Sequence, residues 1–330
     1  MRTLDQTLKN LANLDEPISI AALYALSSLD KAQLAQVTAV WNTLPADRRA
    51  AAMQYLVELS DDSFEVDFTA LFRVGLYDAD PAVRASAISG LWEDADPALI
   101  APLMNLLQTD ESEAVRAAVA GVLGRYVYEG ELEELDEAKV KPIVTALKAI
   151  YRDVAQPLEV RRRALESLGF LSDDDTSQLI TQAYHHANDR MKQSAVFAMG
   201  RSLDAERWGT IVVEELAAPD PEMRYEAARA AGELEYTPAV RRLGELLDDV
   251  DEEVQLVTVW SLGQIGGEKA RQLLLAVLES DAEHLHEEAE DALAELEFKA
   301  DNLDFTMFDF EDDEEEWVLD ENPDDEDDDA

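Results

Sequence analysis

The side chains in this sequence best suited to bind a metal ion or to transfer a proton are four histidines, His185, His186, His284 and His286. His185 and His186 are adjacent at the predicted end of a helix, where neighbouring side chains point about 100° apart and make a poor chelate. A favourable interaction with the partial negative charge of the helix end accounts for both. His284 and His286 lie near acidic residues and could bind a metal weakly, but ordinary exposed histidines are the simpler interpretation. The sequence therefore predicts no metal site.

Other reactive groups are missing from the sequence. The chain contains no cysteine, which excludes disulfides, thiolate catalysis and cysteine-based zinc or iron–sulfur sites. It contains neither a glycine-rich phosphate-binding loop nor a Gly-x-Ser-x-Gly motif. The acidic C-terminal residues lack the spacing and the central glycine of an EF-hand calcium loop. We therefore predict no catalytic residue, no cofactor and no enzymatic activity.

The chain is strongly acidic, with a net charge of −46 over 330 residues. Such a charge repels nucleic acid phosphates and anionic membrane surfaces, and it attracts basic proteins and cations. Solubility in a crowded or saline cytoplasm accounts for it equally well. The apolar run at residues 18–29 has no basic residue just before it and is interrupted by Ser27 and Ser28, so we predict neither a signal peptide nor a membrane span. The expected location is the cytoplasm.

The elements that would position any site are helical hairpins, because a short pattern recurs along the chain. It reads Asp-Pro-Ala-Val-Arg-Ala-Ser-Ala at residues 80–87 and returns in similar form farther on. The arginine-equivalent position, taken as the anchor of each copy, falls at residues 49, 84, 116, 161, 192, 224, 255 and 286. The steps between anchors are 35, 32, 45, 31, 32, 31 and 31 residues. A step near 31 that holds two helix-length apolar segments predicts a helical-hairpin repeat.

Recurrent residue types have a physical role within each unit. An Asp or Ser before the second helix accepts hydrogen bonds from its free amides, and proline fits its first turn. A small residue three positions after the anchor lets helices approach closely, and a glycine eight positions after it fits a tight contact or a helix end. The recurrent arginines are predicted to be structural, paired with a capping aspartate of their own or of the next turn, such as Asp80 or Asp220. We interpret the long step as an acidic surface loop at residues 128–138.

The Asp-x-x-Val-Arg-x-x-Ala strings, followed by Leu-Gly-like ends, resemble the HEAT-like repeats typified by phycobilin lyases. The resemblance covers about residues 31–298 and implies an all-α fold, a right-handed α-solenoid of about eight hairpins. We assign residues 1–30 to N-terminal capping helices, 31–299 to the solenoid and 300–330 to a disordered acidic tail. A related metal-dependent hydroxylase carries His-Glu pairs one and two positions after the anchor. No histidine occupies those positions here, which argues against that activity.

The tail has 17 acidic residues and no Lys or Arg between residues 301 and 330, a composition that predicts disorder. It also holds two apolar clusters, one that includes Phe305, Phe308 and Phe310 and one around Trp317. Either cluster could dock in a groove as a short linear motif, with its charges steering it to a basic surface. The alternatives are that the first cluster packs on the last repeat and that the tail only improves solubility.

One side of the second helices is predicted to line the concave surface of the solenoid. At 3.6 residues per turn, positions one and five after the anchor point away from the apolar side. Early repeats carry small residues there, whereas later repeats carry larger ones: Arg162, Phe197, Tyr225, Arg229, Leu256 and Trp260. Aromatic and arginine side chains at exposed positions are typical of binding hot spots. The alternative is that curvature buries these rings between neighbouring repeats.

Together these features predict a non-enzymatic scaffold that binds a protein or peptide segment, most naturally a basic one, on its concave face. Nucleic acid and membrane are disfavoured as partners. Two alternatives stay open, since many unrelated activities use such scaffolds. One is a lyase-like protein that holds a tetrapyrrole, as the repeat resemblance implies. The other is an acidic mimic of nucleic acid that occupies a DNA- or RNA-binding protein.

Overall fold

The computed structural model describes residues 3–63 and 65–308, and no strand occurs within them. Two short helices come first, α1 (Leu4–Ala12) and α2 (Ile20–Leu23). Eight hairpins follow, each with a first and a second helix: α3 (Lys31–Trp41) and α4 (Ala46–Asp62), α5 (Thr69–Gly75) and α6 (Pro81–Ser89), α7 (Ile100–Thr109) and α8 (Glu113–Glu131), α9 (Glu137–Arg152) and α10 (Leu158–Leu168), α11 (Asp174–Tyr184) and α12 (Asp189–Arg201), α13 (Ala205–Glu215) and α14 (Pro221–Glu233), α15 (Val240–Leu246) and α16 (Glu252–Ile265), α17 (Gly267–Leu278) and α18 (His286–Phe308). All eight anchor positions lie in second helices, and the predicted all-α solenoid is confirmed.

Several second helices begin where a polar side chain satisfies their free amides. Asp80 accepts hydrogen bonds from the backbone N–H groups of Ala82 and Val83, at 2.8 and 3.4 Å. Pro81 occupies the first turn of α6, where no amide donor is needed. Asp251 caps α16 as Asp80 caps α6. Because the first amides of a helix have no partner inside it, these caps help to fix where the capped helices start.

The recurrent arginines join one hairpin to the next. Arg224 on α14 donates two hydrogen bonds of 2.7 Å to the carboxylate of Asp249, in the turn before α16. Its other terminal nitrogen donates to the backbone oxygens of Ala218 and Pro219 in its own hairpin. Asp249 in turn accepts from the backbone N–H of Asp251 at 3.0 Å. One guanidinium therefore ties the turns of two successive hairpins together.

The same arrangement recurs in two earlier pairs of hairpins, as Arg49–Asp78 and Arg84–Asp110. The structural role predicted for these arginines is confirmed, and of the two turns considered the next one supplies the partner, but Asp80 and Asp220, named as examples, are not the partners. Asp80 caps a helix, and Asp220 accepts from the side-chain amide of Gln193 at 2.8 Å. Each of these arginines pairs with the aspartate two residues before the next helix cap. This aspartate belongs to the following repeat.

Glycines eight positions after the anchor lie where successive second helices cross at close range. A Cβ atom on Gly200 of α12 would lie 2.8 Å from Cα of Ala230 on α14. One on Gly169, at the end of α10, would lie 2.9 Å from Cα of Ala198 on α12. No side chain fits between two backbones at this distance. Because equivalent positions meet at each step, the second helices run parallel and pack directly on one another.

The second helices lie on the inner side of the array. Successive second helices pack along much of their length, whereas successive first helices touch at few points. An array in which one layer is more closely spaced must curve toward that layer. The second helices therefore line the concave face.

The apolar core runs between the two helix layers from the first hairpin to the last. Fully buried side chains such as Leu56, Leu123 and Leu262 recur along it. Each hairpin buries its apolar face only against its neighbours, which is the stabilising principle of a repeat array. No helix among residues 3–63 and 65–308 is long and apolar enough to cross a membrane.

Two segments differ from the sequence expectations. Residues 128–138 were expected to form a loop, but α8 continues to Glu131 and only residues 132–136 separate it from α9. Glutamates are good helix formers, so an acidic run extends a helix as readily as it forms a loop. The last helix also continues past the expected tail boundary at residue 300, as far as Phe308. Alanine and leucine at positions 300 and 303 favour this extension.

Candidate binding surface on the concave face

The six side chains predicted to form a binding stripe lie on four successive second helices and are half-buried: Arg162, Phe197, Tyr225, Arg229, Leu256 and Trp260. They come from α10, α12, α14 and α16. The two alternatives considered from sequence, an open stripe and rings buried between repeats, each describe part of the arrangement. The side chains pack partly on one another and leave polar and apolar cavities between them.

Two phenylalanines and two arginines form a continuous stack on this face. The guanidinium carbon of Arg229 lies 4.2 Å from the ring centre of Phe197, and that of Arg201 lies 4.6 Å from the same ring. Arg201 also lies 4.7 Å from the ring centre of Phe170, just after α10. Cation–π contacts strengthen where water is excluded. The stack therefore fixes the relative positions of α10, α12 and α14 on the concave side.

The guanidinium groups of Arg162 and Arg229 are already engaged within the chain. Arg162 donates to Glu159 at 2.7 Å and to the hydroxyl of Ser194 at 2.9 Å. Arg229 donates to Glu233 at 2.5 Å. Their charges are largely neutralised by these carboxylates. Both arginines line cavities on this face, with their charges already paired inside the chain.

A pocket of about 340 Å³ lies where α14 and α16 meet. Its apolar lining comes mainly from Tyr225, Leu256 and Trp260. Its carboxylates are those of Glu233, Glu253 and Glu288. Aromatic faces surrounded by negative charge accommodate the apolar stem and the cationic head of a Lys or Arg side chain.

A larger groove, of about 820 Å³, runs past the C-terminal ends of the second helices from α8 to α16. It holds four large apolar side chains that are exposed, Trp92, Tyr128, Leu132 and Leu203. Single exposed apolar residues are common on protein surfaces, but several in one concave site mark a binding surface. We call this site the apolar groove.

The sequence reasoning missed the residues nine positions after the anchor. Five successive repeats carry them, and all five line the apolar groove: Arg125, Phe170, Arg201, Glu233 and Gln264. Position nine lies one turn farther along the helix face that holds positions one and five. Extending the periodic series by four residues would have identified them.

Three carboxylates are partly withdrawn from water beside this surface. Glu166 is only 7% exposed and accepts from the hydroxyl of Ser194 at 2.6 Å. Burial raises the pKa of Glu226 to about 7; Arg229 opposes this shift, whereas Glu166 and Glu233 add to it. Within the described residues, one buried oxygen of Glu226 and one of Glu233 lack a hydrogen-bond partner. The arrangement favours a cationic ligand nearby.

Replacing Glu226 by glutamine is expected to stabilise the protein at pH 8 by on the order of 1 kcal/mol. The pKa of Glu226 is about 7 in the folded chain against an ordinary value of 4.5. The wild-type carboxylate therefore destabilises the fold increasingly as the pH rises from 4.5 to 7. Urea denaturation at pH 5 and pH 8 should show a gain that grows with pH. Glu222→Gln, at an exposed position of the same helix, should show none, and an equal gain there would contradict the assignment.

His284 and His286 each have a polar partner within the chain. The Nε2 atom of His284 lies 2.6 Å from the side-chain oxygen of Gln255, and that of His286 lies 3.2 Å from the backbone oxygen of Ser280. Among residues 3–63 and 65–308, no group of three or more His, Asp or Glu side chains is placed to hold a metal ion.

The proposed tail motif falls at the edge of the described chain. The backbone of Phe305 and Phe308 is helical, as part of α18. Phe310 and Trp317 lie outside the described residues. Docking by these four residues stays a prediction.

Comparisons with known proteins agree with this architecture. A sequence profile described as HEAT repeats matches residues 69–147 and 210–294. The complex of CpcE and CpcF of phycocyanin lyase from Nostoc sp. PCC7120 has a similar fold, with a TM-score of 0.55 and 18% identity over 83% of this chain and 93% of that chain. Deoxyhypusine hydroxylase-B from Oryza sativa subsp. japonica is 34% identical over 97 residues, which are 29% of this chain and 32% of that protein.

These similarities differ in what they establish. The chain spans about a third of the length of the curated relative, so that match concerns the repeats alone. The identity to the lyase subunits is low, and the likeness therefore concerns the fold. The repeat profile falls in both halves of an array whose anchors recur every 31 to 35 residues apart from one step of 45. The chain is a HEAT-repeat protein.

Proposed function

We propose that this chain is a non-enzymatic scaffold that binds a basic peptide or protein segment on its concave face. The observation that carries the proposal is the pocket where α14 meets α16. There the rings of Tyr225 and Trp260 lie with the carboxylates of Glu253 and Glu288 around one cavity. A Lys or Arg side chain would lay its apolar stem against the rings and its charge beside the carboxylates.

An adjoining cavity extends the same chemistry toward α10 and α12. It has a volume of about 300 Å³ and shares Tyr225 and Glu253 with the first pocket. Its other acidic residues include Glu166, Glu222 and Glu226. Two neighbouring acidic cavities suit an extended segment with basic residues at successive positions. The net charge of −46 would speed the encounter with such a partner, in the cytoplasm, and would disfavour nucleic acids and anionic membranes.

Binding of fluorescent Lys- and Arg-rich peptides to the purified chain tests this proposal. Tyr225→Ala and Trp260→Ala should each weaken binding at least about tenfold, as expected for aromatic hot-spot residues. Tyr77→Ala is the matched control and should bind like the wild type. Tyr77 is 75% exposed but lies in the turn after α5, outside both cavities.

Three outcomes would count against the concave-face proposal. Both aromatic variants could bind as tightly as the wild type, or the Tyr77 control could lose as much affinity as they do. Acidic peptides of the same length could bind equally well. Circular dichroism of each variant checks that a loss of binding comes from a folded protein.

A tetrapyrrole-handling protein is a second candidate, and the apolar groove favours it. Aromatic side chains together with Arg201 suit a planar ligand that carries carboxylates. The phycocyanin lyase subunits have the same fold. Mixing the chain with a bilin should then give a red-shifted absorbance, and an unchanged spectrum would exclude this candidate.

A further inference from the structure

Arg201 is a guanidinium without a polar partner. Within the described part of the chain it makes no hydrogen bond or ion pair, and its close contacts are with the rings of Phe170 and Phe197. Arg162 and Arg229, on the same face, are both bonded to carboxylates. Burial lowers the pKa of Arg201 and the charge of Arg229 adds to this effect, whereas the charges of Glu233, Glu166 and Glu226 partly oppose it. An anion beside Arg201 would offset both the cost of burying its positive charge and its repulsion by Arg229.

The surroundings of Arg201 indicate what kind of ligand would supply that anion. Aromatic rings stack on the faces of the planar guanidinium, so the N–H groups at its edges are left to bind a ligand. A carboxylate fits best, because its two oxygens can accept two parallel hydrogen bonds from these groups. Arg201 lines the apolar groove together with the exposed side chains of Trp92, Tyr128, Leu132 and Leu203. The groove therefore fits an occupant that combines a large apolar side chain with a nearby carboxylate.

The described chain ends on the side of the solenoid where the groove lies. The last helix, α18, packs parallel to α16, whose residues Trp260 and Gln264 line the groove. Three hairpin steps of roughly 10 Å and a helix overhang of roughly 20 Å separate the end of α18 from Arg201. About a dozen extended residues span such a distance. Residues 309–320 provide this length.

We propose that residues 317–320 of the same chain occupy the apolar groove, with the indole of Trp317 in its apolar part and the carboxylate of Asp320 on Arg201. The sequence there, Trp-Val-Leu-Asp, combines the two groups that the groove fits. Salt screens the repulsion between the neighbouring acidic residues of the tail and the acidic body. This inference does not depend on the basic-segment pocket, which takes the opposite charge.

Disulfide cross-linking in the full chain tests the contact, because the natural sequence has no cysteine. Leu203→Cys places one thiol in the groove, and Val318→Cys places the other in the segment. Under mild oxidation this groove pair should form an intramolecular disulfide at least tenfold faster than a control pair of Val154→Cys and Val318→Cys. Val154 is 82% exposed, like Leu203 at 72%, but lies in the turn before α10, near the opposite ends of the second helices.

Two substitutions distinguish a specific docked contact from mere proximity of the chain end. Arg201→Gln and Asp320→Asn, each added to the groove pair, should slow its cross-linking at least fivefold. Asp320→Asn lies outside the repeats, so its result stands even if the Arg201 variant folds poorly. Thermal unfolding of each variant monitors the fold.

Several results would overturn the proposal. One is an equal rate for the groove pair and the control pair. Another is a groove-pair rate that Asp320→Asn leaves unchanged. A third is cross-linked dimer whose yield rises with protein concentration, which would place a second copy in the groove. Each of these outcomes leaves the basic-peptide binding assay unaffected, so the two proposals fail separately.

Discussion

An Asp249→Ala variant should unfold with a free energy about 3 kcal/mol below that of the wild type at neutral pH. In the wild-type chain its carboxylate accepts two hydrogen bonds of 2.7 Å from Arg224 and one of 3.0 Å from the backbone of Asp251. Only 7% of the Asp249 side chain and 12% of the Arg224 side chain are exposed. Removing the carboxylate leaves a buried guanidinium without its counter-ion, which destabilises far more than the loss of an exposed pair.

The difference between the two proteins should disappear in acid. The hydrogen bonds from Arg224 hold the pKa of Asp249 below its ordinary value of 3.8. The ion pair therefore contributes its full stability above pH 3.8, and this contribution is lost as the pH falls through the folded-state pKa. Urea denaturation should show a large difference at pH 7 and a small one near pH 2.

An exposed pair in the same region provides the control. Arg241 and Glu245 lie 3.7 Å apart, with side chains 79% and 49% exposed, so Arg241→Ala should change stability by less than about 0.5 kcal/mol. In a double-mutant cycle, removing both Arg224 and Asp249 should cost less than the sum of the single losses, because no charge stays buried alone. Additive losses, or an equally damaging Arg241→Ala, would contradict the assigned role of the buried pair.

A Gly200→Ala variant should lose about 2 kcal/mol of unfolding free energy. Its new Cβ would lie 2.8 Å from Cα and 3.0 Å from Cβ of Ala230, and 2.6 Å from a carboxylate oxygen of Glu233. The carboxylate can rotate away, but the backbone of α14 cannot move without separating two packed helices. In an isolated helix the same substitution would stabilise by about 1 kcal/mol. A decrease in the free energy of unfolding, rather than an increase, would therefore indicate the close contact between the two helices.

Gly121→Ala is the matched control for this contact. Gly121 is also helical, in α8, but a Cβ there would meet no atom closer than Cδ of Arg163 at 4.0 Å. The substitution should be neutral or stabilise by up to about 1 kcal/mol. Urea unfolding of both variants gives the comparison. A Gly200→Ala variant as stable as Gly121→Ala would refute the close crossing.

The features that could be predicted from sequence are those that every repeat must supply for itself. The eight anchors identified eight hairpins because each second helix makes the same contacts with its neighbours. The glycines eight positions after the anchor could be assigned to a tight contact for the same reason, as Gly169 and Gly200 show. Caps such as Asp80 are local, so a few residues of sequence suffice to recognise them.

The features that could not be predicted join different repeats. The partner of Arg224 lies 25 residues away in the next hairpin, whereas the sequence left open whether the arginine pairs in its own turn or in the next. Trp92 occupies the position that holds glycine in later repeats, but α6 already ends at Ser89, and this side chain lines the groove. Trp92 and Leu203 are far apart in sequence, and they line the same groove because the array is curved.

The close crossings at Gly169 and Gly200 also set the mechanics of the molecule. The inner layer is already at contact distance, so the coil has no room to tighten. The outer layer of first helices touches at few points and has space to close up when the coil straightens. We therefore expect the superhelix to resist tighter coiling, because its inner helices are already in contact. It should uncoil more easily, because uncoiling separates the inner helices and brings the outer ones together. If a ligand binds on the inner surface, we expect the array to uncoil as the ligand enters, and the stiffness of the array should then affect the affinity.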